Sequence, residues 1–281
     1  MQSASREAAV GDIIRERIIE TGRISLNVRE TGSGPVAIFL HGITAVGAVW
    51  DPILLKVRDS LRAIGVDQRG HGLSGKPEAG YSAVDFSHDV IALIEALDSG
   101  PAIIVGHSLG ARNGVVAATM RPDLVRSVVA VDFTPYIETE VFDSLESRVN
   151  GGNRAFQSQQ EIEQYLQNRY AKLPLDAIKR RAKHGYRSVG DHFRPLASPA
   201  AMAATANGLR EELESAFKSV NRPVLLVRGA ESKLVSPAAL ARTQQLRPDM
   251  PTIIVEDTDH YVPEEAPDTI ASAILDFALR K

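Results

Sequence analysis

Short runs of β-branched and aliphatic residues alternate with amphipathic segments along most of this chain, and that alternation restricts the fold more than any other feature. The runs are "VAIFL" (36–40), "RAIGVD" (62–67), "AIIVG" (102–106), "SVVAVD" (127–132), "PVLLVRG" (223–229) and "TIIVE" (252–256). The pattern signals an α/β sheet of mainly parallel strands, with helices predicted over 82–97, 109–120, 236–246 and 267–279. Two earlier runs, "RERIIE" (15–20) and "ISLNVRE" (24–30), are separated by three residues. Three residues are too few for a crossover, so this pair reads as an antiparallel hairpin.

Between Pro135 and about Ala216 the rhythm stops. That stretch is polar, helix-like and rich in Arg, Gln and Glu, with "NGGN" and "LASPAA" as breaks. It reads as a helical insert lying over the strand ends, where the loops of such sheets build their sites. The expected division is a core in two parts, 1–135 and 217–281, with a helical cap over 136–216.

Bulk properties remove several classes of function. The 281 residues are 44% hydrophobic, enough for one large core, and the net charge is −3. A near-balanced charge argues against a nucleic-acid groove or a polybasic membrane patch. There is no cysteine, which excludes disulfides, thiol nucleophiles and zinc–thiolate sites. The start, "MQSASREAAVGD", lacks a basic segment followed by an apolar run, so no signal peptide is read there. No apolar stretch approaches the ~20 residues that span a bilayer. A soluble cytoplasmic protein is expected, without nucleic-acid or membrane partners; a homo-oligomer is compatible with the sequence, which is silent on it.

Four segments carry the residues that could do chemistry. "VGHSLGA" (105–111) holds G-x-S-x-G between a strand and a helix pattern, the setting of a nucleophile elbow that pushes Ser108 into a cleft. Its bland alternative is a glycine-rich strand–helix turn with an idle serine. "FLHGIT" (39–44) ends a strand in His-Gly, where a loop can aim the amide of Ile43 at an oxyanion, with the amide of Leu109 as second donor. "DQRGHGLS" (67–74) reads as structural, with Arg69 satisfying carbonyls and His71 a lesser candidate base. "DTDHYVPEEAP" (257–267) follows the last strand, and His260 is the only histidine after Ser108 that follows a core strand. A surface-loop histidine is the alternative there.

These pieces, in this order and over nearly the whole chain outside the insert, resemble the α/β-hydrolase fold family. "HGIT", "DQRGHGLS", "GHSLG" and His260 followed by "EEAP" carry the likeness. The resemblance implies a mostly parallel eight-stranded sheet flanked by helices, a cap inserted after strand six, Ser108 as nucleophile and His260 as base. Aspartate stands at the position of Ser108 in haloalkane dehalogenases and epoxide hydrolases of this fold, which argues against those reactions.

The triad acid is the open point. The usual place after the seventh strand, in "RGAESKLVS" (228–236), holds Ser232, with Glu231 beside it. Asp132, ending "SVVAVD", is the other candidate, because the sixth strand of this fold lies beside the nucleophile strand, ~4.8 Å away. Its alternative role is to cap the segment leaving the strand. Asp132 ranks before Glu231, and Asp257 and Asp259 rank behind both.

Arginines frame the substrate. In "EIEQYLQNRYAKL" (161–173), read as one helix, Arg169 shares a stripe with Ile162, Leu166 and Leu173; in "VFDSLESRVNGG" (141–152), Arg148 follows Leu145 by three. An inward guanidinium needs an anion, and two would suit a dicarboxylate. Equally, both could snorkel to the surface or pair with glutamates of the insert. Lys172, Lys179, Arg180, Arg181 and Lys183 read as a solvated face.

"RGAESKLVS", the Asp of "VAVDF", "DHYV" and these arginines resemble, within the same family, cofactor-free amidohydrolases of vitamin B6 degradation that act on a small dicarboxylate amide. That likeness implies Asp132 as the acid, Ile43 and Leu109 as oxyanion amides, and Arg148 and Arg169 as carboxylate ligands with Tyr170 nearby. It implies an acyl-enzyme route needing neither metal nor organic cofactor. An esterase, enol-lactonase or carbon–carbon hydrolase for another small anion would use the same triad, and a hydrolase-fold receptor would keep the fold without fast turnover.

Overall fold

In the computed structural model residues 13–279 are described. The stretch 1–12, where no signal peptide was read, lies outside the described residues. Strands β1 (Arg15–Glu20) and β2 (Ser25–Thr31) form the expected antiparallel hairpin. They are followed by β3 (Val36–Leu40), β4 (Arg62–Val66), β5 (Ala102–His107) and β6 (Val125–Val131). A small antiparallel pair, β7 (Tyr186–Val189) and β8 (His192–Pro195), stands apart, and β9 (Val224–Gly229) and β10 (Thr252–Val255) complete the main sheet. Its order is β1-β2-β4-β3-β5-β6-β9-β10, with every pair from β4 to β10 parallel.

The helices are α1 (Asp51–Val57), α2 (Ala83–Leu97), α3 (Leu109–Met120), α4 (Thr139–Gly151), α5 (Gln159–Arg169) and α6 (Leu175–Gly185). After these come α7 (Pro199–Gly208), α8 (Glu214–Ser219), α9 (Pro237–Leu246), α10 (Val262–Glu265) and α11 (Pro267–Ala278). Among the described residues no helix is long and apolar enough to cross a membrane.

Successive strand side chains point to opposite faces. Val36, Ile38 and Leu40 therefore join one core with α2 and α3, while Ala37 and Phe39 join another with α1 and α11. Burying each such aliphatic side chain contributes ~1.5–3 kcal/mol, which is why the central strands read as unbroken apolar runs. Helix α2 begins at Ser82 because its hydroxyl accepts from the Asp85 amide while the Asp85 carboxylate accepts from the Ser82 amide.

The stretch from α4 to α7 lies between β6 and β9, and it is not purely helical. "YRSVGDHFRP" closes into the β7–β8 hairpin through Gly190 and Asp191, with Gly190 at φ 64°. Helix α5 also stops at Arg169, so Leu173 is buried from a loop rather than from the helical stripe expected for it. Helix α8 packs with the core, since Phe217 shares the cluster of β6 and β9.

Candidate active site

The C-terminal ends of β3, β5, β6, β9 and β10 converge under α4, α5 and α6. Ser108 follows β5 at φ 52° and ψ −115°, a conformation that L-residues rarely hold. Two close approaches maintain it. A Cβ at Gly106 would overlap the Gly110 carbonyl, and one at Gly110 would overlap the Leu40 carbonyl. The flanking glycines are thus required by packing. The Ser108 amide donates to Val131 O at 2.9 Å, tying the elbow to β6.

Asp132 leaves β6 with its own positive φ of 50° and is fully buried. Its Oδ2 accepts from His260 Nδ1 at 2.7 Å and from the Ser232 hydroxyl at 2.6 Å, and its Oδ1 accepts from the Gly229 amide at 3.1 Å. With Nδ1–H spent on Asp132, the lone pair of His260 sits on Nε2. Glu231 turns to the surface instead and pairs with Lys172 at 2.6 Å. Ser232 is thereby explained: it donates to the carboxylate that stands one strand away, and it accepts from the Val235 amide at 3.1 Å. Ser232→Ala removes a charge-assisted hydrogen bond of ~1.5–3 kcal/mol, so kcat should fall about 10- to 100-fold. Steady-state kinetics beside a melting curve checks this; full activity in a folded variant would contradict it.

His107 braces the same histidine from below, donating from Nε2 to His260 O at 2.7 Å. Burial, helped by the neighbouring His260, holds His107 well below its ordinary value, so it stays neutral. His41 and His71 shape the β3 loop. His41 Nε2 accepts from the Gln68 amide at 3.1 Å, and His71 Nε2 accepts from the Thr44 amide at 3.3 Å. Burial pushes them down to about 4 and about 3 respectively. His71 Nδ1 donates to Arg69 O at 2.8 Å, so with both nitrogens committed His71 is not available as a base. Arg69, expected to satisfy carbonyls, is chiefly paired with Asp89 and gives one donor to Gly80 O.

Ser108 and His260 line a cavity of about 610 Å³ together with Ile43, Arg148, Arg169 and Tyr170. Ile43 and Leu109 give their amides to no protein acceptor among the described residues. The side chain of Leu109 turns away into a cluster with Phe86 and Met202. Arg148 donates from Nη2 to the Tyr261 hydroxyl at 3.0 Å; Arg169 donates from Nε to the Tyr170 hydroxyl at 3.1 Å and from Nη1 to the Tyr165 hydroxyl at 2.8 Å. Among the described residues neither arginine meets a carboxylate.

Arg181 corrects the sequence reading. It is buried rather than solvated, and it is held by both carboxylate oxygens of Glu264. Arg181 lies three residues after buried Ile178, on the inner stripe of α6. Burial alone would raise the Tyr170 hydroxyl, but the charges of Arg181 and Arg169 outweigh it and lower it. Glu265 is raised to about 8 by burial and by its hydrogen bond to Asp259, which precedes His260.

The "Alpha/beta hydrolase family" description matches residues 37–273. A 2-(acetamidomethylene)succinate hydrolase from Mesorhizobium japonicum is 56% identical over 261 residues, covering 93% of this chain and 94% of the relative. A solved structure of E-2-(acetamidomethylene)succinate hydrolase superposes with a TM-score of 0.93 at 55% identity, over 94% of this chain and 99% of that one. An N-formylmaleamic acid deformylase from Pseudomonas putida S16, 19% identical, shares the fold at a TM-score of 0.74, over 92% of this chain and 100% of that one.

Proposed function

The chain belongs to the alpha/beta hydrolase family, and from that premise we propose that it hydrolyses the amide bond of (E)-2-(acetamidomethylene)succinate. Two features support this reading. One is the identity to a hydrolase of that name across almost the full chain. The observation that carries it is chemical: the cavity that holds Ser108 and His260 also holds two arginines without a carboxylate partner among the described residues. An unpaired guanidinium at a cleft favours an anionic ligand, and a succinate unit brings two.

Arg148 and Arg169, with Tyr170 beside them, hold the carboxylates and present the N-acetyl carbonyl to Ser108. His260 Nε2 takes the serine proton while Asp132 holds the imidazole by Nδ1 and stabilises the imidazolium. The amides of Ile43 and Leu109 receive the oxyanion. Collapse expels the enamine nitrogen, protonated by His260, and leaves an acetyl group on Ser108. Water deprotonated by His260 then releases acetate. The aminomethylene succinate tautomerises to an imine, hydrolyses to ammonia and a formyl diacid, and loses carbon dioxide as β-carbonyl acids do, giving succinate semialdehyde. No step calls for a metal or organic cofactor.

In this reading 136–216 is the cap and 1–135 with 217–281 the core. A cytoplasmic location belongs to the same proposal, because substrate and product are small charged molecules that do not cross a bilayer unaided. A homo-oligomer is compatible but not required, since every residue named comes from one chain.

Arg148→Ala and Arg169→Ala should each lower kcat/KM for the dicarboxylate amide about 10- to 100-fold more than for a neutral ester, the scale of a charge-assisted hydrogen bond. Equal damage to both substrates would rule out the carboxylate clamp.

A further inference from the structure

Arg181 and Glu264 join two parts of the chain that the reaction needs in register. Arg181 belongs to α6, in the stretch inserted between β6 and β9; Glu264 belongs to α10, four residues after His260. Their side chains are 6% and 2% exposed, and the guanidinium grips both carboxylate oxygens. The Cζ of the same guanidinium lies 4.7 Å from the centre of the Tyr170 ring and 5.3 Å from that of Tyr261, and the two rings meet edge-on at 4.8 Å. Each tyrosine then uses its hydroxyl to accept from one of the cleft arginines, Tyr170 from Arg169 and Tyr261 from Arg148.

We propose that the Arg181–Glu264 pair is a positioning device that sets the distance between the carboxylate-binding arginines and the Ser108–His260 centre. The inference rests on the reading that Arg148 and Arg169 hold a dicarboxylate. Arg181 also borders the cavity, but its guanidinium is ion-paired with Glu264, and the role assigned to it is positioning rather than binding. It packs against Tyr170 and Tyr261, where cation–π contact fixes two rings and leaves their hydroxyls bonded to the arginines that bind. Tyr261 is adjacent to His260 in sequence, so the same contact registers the base loop against the inserted helices. A fork held at two oxygens fixes direction as well as distance, which a lysine cannot do.

Two variants test this. Arg181→Met with Glu264→Leu replaces the buried pair by apolar side chains, a change that buried ion pairs often tolerate in stability. Arg181→Lys keeps the charge and loses the fork, and it serves if the double variant does not fold. For a folded variant, the ratio of kcat/KM on the dicarboxylate amide to that on 4-nitrophenyl acetate should fall about 100-fold in the double variant, the effect of a misplacement near 1 Å. The lysine variant should show a smaller fall of the same kind, carried by KM. A ratio within threefold of wild type, or a parallel loss on both substrates with a lowered Tm, would overturn the positioning role.

Succinate protection of Ser108 against a fluorophosphonate separates this inference from its premise. Protection in wild type that weakens in the variants supports the proposal. Equal protection in both overturns it while leaving the dicarboxylate reading intact. No protection in wild type overturns the dicarboxylate reading and the positioning role with it.

Discussion

Ser108→Ala should abolish turnover, with kcat lower by a factor on the order of 10⁶, the scale seen when a triad nucleophile is removed. The expectation follows from the elbow. Ser108 stands at positive φ between Gly106 and Gly110, where the turn is set by backbone packing rather than by its hydroxyl. Alanine meets the same backbone strain as serine, so the fold should survive while the attacking oxygen is lost. Retained binding of succinate with no turnover and no fluorophosphonate labelling is the expected result. Labelling at another residue with activity preserved would remove Ser108 from the mechanism.

Asp132→Asn should lower kcat by about 10⁴, the cost of losing the acid in such a triad. The hydrogen bonds around Asp132 give the reason. Oδ1 is fixed by the Gly229 amide, a donor, so the asparagine oxygen will take that place and its NH2 will face His260. The Ser232 hydroxyl can turn from donor to acceptor and accommodate the change. His260 cannot accommodate it: Nδ1 must become the acceptor, the proton moves to Nε2, and the base is lost. Glu231→Gln should stay within about threefold of wild type, because its exposed pair with Lys172 is the kind worth ~0–1 kcal/mol. Wild-type turnover in Asp132→Asn with loss in Glu231→Gln would reverse the assignment of the acid.

Much of this arrangement was legible in the sequence. Parallel strands buried on both faces leave continuous apolar runs, and the strand-ending residues His41, Ser108, Asp132 and His260 can be read directly after or at the ends of those runs. Asp132 was distinguishable from Glu231 only through strand order, because the decisive fact is that β6 separates β5 from β9. Ser232 was visible merely as a missing carboxylate; its bond to Asp132 spans 100 residues of sequence and leaves no local pattern. Arg181 was hidden by its neighbours, since Lys179, Arg180 and Lys183 give α6 the look of a wet face although Ala177, Ile178, Arg181 and Ala182 form its inner stripe. The β7–β8 hairpin has strands of four residues, too short for alternation to speak, and only Gly190 and Asp191 mark its turn. Helix α1 was unread for a similar reason: seven residues starting at Asp51-Pro52 hold barely two turns of periodicity.

The most direct measurement is to supply the purified protein with (E)-2-(acetamidomethylene)succinate and quantify acetate and ammonia against substrate consumed. Equimolar release of both, with succinate semialdehyde as the carbon product, is the predicted result. Intact substrate in the presence of enzyme whose Ser108 still reacts with a fluorophosphonate would contradict the assigned reaction while leaving the hydrolase centre in place.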